Sequence, residues 1–257
     1  MSDKAKQFFT TLKGIFNKNP FEKELKEALL SCQANPNDQR AKIRLGEIYF
    51  KRRELALGLQ LFTEVAEAYV REGFFLKAVA IYKNMIRMSP GSVEYNEKLA
   101  EIYPQLGMVK DAINQYLIVI NYYQSRAEKE KVLEVAQKMV LLDTQNPMHR
   151  MRLAEIYLNQ GMVDAALKEY EQISEQLKQE GAKELKLLIE VLEKIYFRRP
   201  KDLNVLKELC ILYLRKHDPE SVMKKIERSK LEKEGDFEKI YLKAKEIFEY
   251  DQKKVVG

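Results

Sequence analysis

Glycine and proline are scarce in this 257-residue chain, at ten and seven residues. That excludes a collagen-like or Pro/Gly-rich disordered polymer and argues against a turn-dense β-sandwich. Cysteine and histidine occur twice each. Cys32 and Cys210 lie far apart, without the close spacing of a metal site, and suit two buried thiols in a reducing cytosol. His149 and His217 have no cysteine or carboxylate at ligand spacing. No glycine-rich loop ends in Lys-Ser or Lys-Thr, and no strand-like run precedes a glycine triplet. No uninterrupted apolar run suits a signal peptide or a membrane span. These absences lead us to expect a soluble, cytoplasmic protein with no catalytic residues, metal site or cofactor.

Charge of one sign is also lacking as a block. The net charge is +6, and half of it comes from the first twenty residues, where four lysines face one aspartate. Elsewhere acidic and basic residues intersperse, which argues against nucleic acid as the partner. What is abundant is Leu, Glu, Lys, Ala and Ile, the composition of helices.

The chain repeats itself. Leu45-Gly46-Glu47-Ile48-Tyr49 returns as Leu99-Ala100-Glu101-Ile102-Tyr103, as Leu153-Ala154-Glu155-Ile156-Tyr157, and more weakly as Leu209-Cys210-Ile211-Leu212-Tyr213. The tyrosines are 54, 54 and 56 residues apart, and Pro36, Pro90, Pro147 and Pro200 each precede one copy. An X-Pro pair ends one helix and lets the next begin. After Tyr103 come Gly107, Ala112 and Tyr116, and after Tyr157 come Gly161, Ala166 and Tyr170. The first copy carries Arg53 in the glycine's place, followed by Gly58 and Phe62. Glycine ends a helix in a left-handed turn, a small residue permits a close crossing, and an aromatic fills the space beside it. Tyr69, Gly73, Ala78, Tyr82 and Pro90 repeat this order only twenty residues after Tyr49.

These residues resemble the tetratricopeptide repeat (TPR) family, whose period is about 34 residues. The resemblance covers most of residues 37–200, with a middle helix serving two overlapping repeats in each 54-residue super-repeat. We therefore expect three amphipathic helices per unit, at 37–52, 54–72 and 74–88, then 92–106, 109–126 and 128–142. The third unit reads 147–160, 162–180 and 182–198, and the fourth 201–216, 219–234 and 236–251. A helix at 21–34 precedes the stack, so the units run 37–90, 91–146, 147–200 and 201–251. Helices that cannot bury their apolar faces alone stack on neighbours, so the fold class is all-α, a right-handed superhelical α-solenoid of TPR-like repeats spanning 21–257.

The resemblance implies that the first helix of each repeat lines a concave surface that binds other proteins. One variant of the family grips a C-terminal carboxylate with Lys and Asn. At the Asn position this chain has Glu47, Glu101, Glu155 and Ile211; at the first Lys position it has Ile43, Glu97, Met151 and only then Lys207. The clamp is absent. The partner-facing candidates are Arg40, Glu47, Glu97, Glu101, Met151 and Glu155. Glu47, Glu101 and Glu155 read either as an acidic ladder for a basic partner or, more simply, as helix formers paired with basic neighbours.

The resemblance thus implies a non-catalytic scaffold or adaptor that binds a protein, either an extended segment or a folded module such as a small GTPase. A helical-repeat RNA binder shares the architecture, but the three glutamates oppose it. Residues 3–18 form a separate basic segment with Phe8, Leu12, Ile15 and Phe16 on one helical face. Such a segment docks on a partner, organises at a membrane surface, or folds back as a cap.

Overall fold

The computed structural model describes residues 21–181 and 183–256. The segment with Phe8, Leu12, Ile15 and Phe16 lies outside the described residues. What is described is helical and divides into two compact units, the first ending at Glu128 and the second starting at Lys129. The first contains α1 (Phe21–Ala34), α2 (Gln39–Lys51), α3 (Leu55–Arg71), α4 (Phe75–Met88), α5 (Glu94–Ile102) and α6 (Val109–Ser125). The second contains α7 (Lys129–Leu142), α8 (Pro147–Asn159), α9 (Val163–Gln179), α10 (Leu185–Arg198), α11 (Leu203–Arg215), α12 (Pro219–Ser229) and α13 (Gly235–Val256). Within each unit every helix packs on the next, the arrangement of a helical-repeat array.

The starts and stops follow from local chemistry. Asp38, Asn146, Asp202 and Asp218 cap α2, α8, α11 and α12 by accepting hydrogen bonds from first-turn amides, satisfying donors that the helix leaves free. The turns that follow the first and middle helices of the repeats share one geometry, whereas α4 and α10 end in the extended residues Ser89 and Arg199. Arg53, Gly107, Gly161 and His217, each four residues after a repeat tyrosine, all adopt positive φ, and so do Gly73, Ala127 and Gly181. At Gly107 the turn closes through its own amide to Pro104 and the Met108 amide to Tyr103. Array geometry therefore demands a left-handed residue whether or not glycine is present, and L-residues there carry a strain of about 1–2 kcal/mol. Ala127→Gly should stabilise the protein by about 0.5–1 kcal/mol, because relief of that strain exceeds the added unfolded-state entropy. Urea unfolding of the two proteins checks this; an equal or lower midpoint would contradict it.

Two expected helices end early. The 92–106 segment is α5 followed by a 3-10 turn, Tyr103–Leu106. Pro104 in that turn supplies no amide to continue the α-helical ladder. The 219–234 segment stops at Ser229, since Lys230 turns left-handed and its amide closes back on Glu227 and Ile226.

The cores repeat as the helices do. Gly46, Ala100, Ala154 and Cys210 occupy one register and are all buried. In the first unit the α2–α3 crossing is so close that a Cβ on Gly46 would meet Phe62 at 2.8 Å. In the second unit, Met151, Ala154, Ala166, Tyr170, Ile173, Leu177, Leu188 and Leu192 are among one continuous cluster. A smaller cluster joins Leu206, Cys210, Val222, Ile226, Phe237 and Ala244, so α13 closes that end of the array.

Tyr170 stands where the first repeat has Phe62. It is fully buried, and its hydroxyl has no hydrogen-bond partner. An unpaired buried hydroxyl costs about 1–3 kcal/mol. Tyr170→Phe should therefore stabilise the second unit by about 1 kcal/mol. A lower melting temperature for this variant would show that the hydroxyl has a role the fold needs.

Candidate partner-binding grooves

Among the described residues, grooves open beside the first-position helices α2, α5 and α11, and the same register lines each. In the first unit, Arg44, Glu47, Ile48 and Lys51 of α2, with Glu24 of α1, line one of about 510 Å³. Lys98, Glu101 and Ile102 of α5 and Gln105 of the 3-10 turn, with residues of α3 and α4, line another of about 480 Å³. In the second unit, Glu208, Ile211, Leu212 and Arg215 of α11, with Lys178 of α9 and Leu188 of α10, line one of about 430 Å³. Counted from Tyr49, Tyr103 and Tyr213, the four shared places are five, two and one residue before the tyrosine and two after it. Helical spacing puts these on one stripe, with Ile48, Ile102 and Leu212 at its base and charged residues at its edges except for Gln105 and Ile211.

The sequence candidates divide on this stripe. Arg40 and Glu47 are exposed and line the α2 groove. Glu101 lines the α5 groove and pairs with Lys98 at 3.4 Å. Glu155, exposed on α8, pairs with Lys194 at 3.5 Å. Both carboxylates are about half-exposed in these ion pairs, which contribute about 0–1 kcal/mol and leave the carboxylates open to exchange for a partner's charge.

Glu97 and Met151 require correction as partner-facing residues. Both lie six residues before the repeat tyrosine, a place that the following middle helix covers. There Glu97 accepts a 2.6 Å hydrogen bond from the Tyr123 hydroxyl. Burial and that carboxylate push the Tyr123 phenol well above its ordinary value. Met151 is 4% exposed and shares a core cluster with Leu177, which stands at Tyr123's register. The position is a packing seat, filled by an apolar pair in one copy and a hydrogen-bonded pair in another.

Reading each tyrosine copy singly missed Glu67, Arg71 and Tyr82 on the α5 groove. The signal was present, for Glu67 precedes Tyr69 by two residues just as Glu101 precedes Tyr103. Because α3 doubles as the first helix of an overlapping repeat, its own glutamate at that register also belongs to the lining.

Other chemistry is dispersed. His149 lies 3.3 Å from Asp143 at the start of α8, a proximity the spacing did not suggest. Cys210 is buried, and that burial raises its thiol to about 11, leaving it protonated and inert at neutral pH. Among the described residues no three His, Cys, Asp or Glu side chains gather to hold a metal ion. No helix among them is long and apolar enough to cross a membrane.

No protein-family model matches the chain, and no curated protein matches it closely. Among solved structures it is similar to the C-terminal part of a TPR repeat-containing protein from Cytophaga hutchinsonii, at 15% identity over 80% of this chain and 94% of that one, with a TM-score of 0.35. It is also similar to MamA from Desulfovibrio magneticus RS-1, at 14% identity over 70% and 98% of the two chains and a TM-score of 0.26. The P58(IPK) TPR domain is 12% identical over 96% and 99%, with a TM-score of 0.25. Likenesses this distant add nothing to what the molecule itself displays: the recurring tyrosine register, the small residues at its crossings, the left-handed turn four residues later and the pairing of consecutive helices within each unit. On those features the chain has the architecture of a tetratricopeptide-type helical-repeat protein.

Proposed function

We propose that the protein is a non-catalytic interaction scaffold whose first-helix grooves hold a partner protein. The observation that supports this is the recurrence of one lining register in the α2, α5 and α11 grooves. Packing accounts for the buried base of the stripe, Ile48, Ile102 and Leu212, but it does not need the outward residues beside that base to recur as groove-lining positions. Such a stripe suits an extended segment whose side chains alternate between burial and solvent, or one exposed edge of a folded module such as a small GTPase. The mixed signs, with Arg44 beside Glu47 and Lys98 beside Glu101, favour protein over a polyanion, which would call for a uniformly basic stripe.

A photo-crosslinking residue placed at Glu47, Glu101 or Ile211 in the full chain tests the reading. The controls place it at Leu141 and Phe197, which are 76% and 80% exposed and lie on the last turns of α7 and α10. One protein recovered from the groove positions and missing from the controls is the expected result. Equal recovery from both sets would overturn the groove assignment.

A further inference from the structure

The grooves differ in how their charges balance. The α5 groove sets two cations against two carboxylates, and the α2 groove sets three against two. The α11 groove sets Lys178, Lys207 and Arg215 against Glu208 alone. Glu208 is already held by Lys178 at 2.7 Å. Lys207 pairs with Asp236, which belongs to the first turn of α13, lies outside the lining and is 60% exposed. Arg215 has no hydrogen-bond or ion-pair partner for its side chain among the described residues. The groove therefore keeps a positive charge even with both pairs closed, and an exposed pair is exchanged at little cost.

A short helix explains how Lys207 reaches this groove. It stands six residues before Tyr213, the seat that Tyr123 covers at Glu97 and Leu177 covers at Met151. The covering residue here would be Lys233, but α12 stops at Ser229. Lys207 is left with 43% of its side chain exposed rather than sealed beneath a middle helix. Lys207, Ile211 and Arg215 follow one another at four-residue spacing, so they share one face of α11. Cation, apolar residue and cation thus run along the groove over about 12 Å of helix, beside the buried Leu188 and Leu212.

We propose, resting on the scaffold reading above, that this groove binds an extended acidic segment of the partner in which two carboxylate side chains flank an apolar one at every second residue. In an extended chain, residues i, i+2 and i+4 share a face, and the outer two lie about 13 Å apart. That span matches the two cations of α11, and the middle residue falls on Ile211 and Leu212. A helical partner would bring its i and i+4 side chains to within about 6 Å of each other, too close to meet both. As the first carboxylate takes over Lys207, Asp236 turns to solvent. Both anions are side chains, so an internal segment serves as well as a chain end.

The test uses the full chain with labelled isoleucine methyls, the Ile211 signal being assigned from Ile211→Val, and peptides blocked at both ends. Threonine spacers keep the peptides from turning helical. Thr-Glu-Thr-Leu-Thr-Glu-Thr should shift the Ile211 signal saturably and bind about tenfold more tightly than its glutamine counterpart, the ratio expected of two half-exposed ion pairs. The isomer Thr-Glu-Leu-Glu-Thr-Thr-Thr carries the same charge with its carboxylates only about 7 Å apart, and should lose most of that gain. Lys207→Gln with Arg215→Gln should erase the ratio while leaving helicity unchanged, as neither side chain is buried. Asp236→Asn, which frees Lys207 without altering the lining, should raise it. Equal binding of the glutamate and glutamine peptides, equal binding of the two isomers, or no Ile211 response to any of them would each overturn the proposal. Tighter binding of a short oligothymidylate than of the glutamate peptide would overturn it in favour of a polyanion. Crosslinking from Glu47 and Glu101, in the other two grooves, would still stand or fall by itself.

Discussion

Phe62→Ala should destabilise the first unit by about 3–5 kcal/mol, the range for deleting a fully buried aromatic ring. Phe62 is 1% exposed, and its ring lies 5.1 Å from that of Phe50. On its other side it meets the backbone of α2 at Gly46, where even a single methyl would come within 2.8 Å of it. The space it leaves is therefore bounded by helix backbone, and backbone cannot collapse into it as a flexible side chain would. Equilibrium urea unfolding read by circular dichroism gives the measurement, with Phe62→Tyr as companion because Tyr116 and Tyr170 occupy this register in the next two repeats. A loss below about 1 kcal/mol for the alanine variant would be that of a surface substitution, and would show that α2 and α3 do not cross at this ring.

The fold was legible because the residues that set it act locally and recur. Leu45, Tyr49, Gly58 and Phe62 specify one helix pair through spacing alone, and three later copies repeat the instruction. Helix ends were harder to read where the chain departs from the favoured residue. Arg53, Ala127 and His217 enter the left-handed region that glycine marks elsewhere, because the tight turn between packed helices overrides their local preference. Pro104 was the visible warning that 92–106 would not be one α-helix, and the strength of the surrounding repeat masked it.

The candidate site was legible only in part, for a physical reason. Periodicity identifies the outward stripe of one helix, which is how Glu47, Glu101 and Arg40 emerged. A groove also needs walls from neighbouring helices, and single-helix periodicity is blind to those. Glu97 shows the consequence, since its role depends on the hydroxyl of Tyr123, 26 residues on. Met151 was mistaken in the same way, its seat being decided by the helix that covers it. Glu67 and Tyr82 went unread because the groove-lining register was followed only from Tyr49, Tyr103, Tyr157 and Tyr213, and not from Tyr69 in the overlapping repeat.

The middle of the second unit offers the complementary experiment, adding volume where Phe62→Ala removes it. Ala166 is fully buried on α9 at the register of Gly58 and Ala112, facing a cluster that includes Met151 and Ala154 of α8. At the equivalent crossing in the first unit, a Cβ on Gly58 would lie 3.1 Å from the Gly46 carbonyl oxygen. That spacing accommodates a methyl group at most. Ala166→Leu must therefore push the two helices apart or force off-rotamer side chains, costing about 1–3 kcal/mol. Its half-buried neighbour Ala165 points away from the crossing, so Ala165→Leu should change stability by no more than about 0.5 kcal/mol. Hydrogen exchange would locate the damage, with protection falling first in α8 and α9 as the crossing loosens. A melt for Ala166→Leu that matches Ala165→Leu would mean that the small-residue register does not mark helix crossings, and the pairing of α8 with α9 at this point would have to be redrawn.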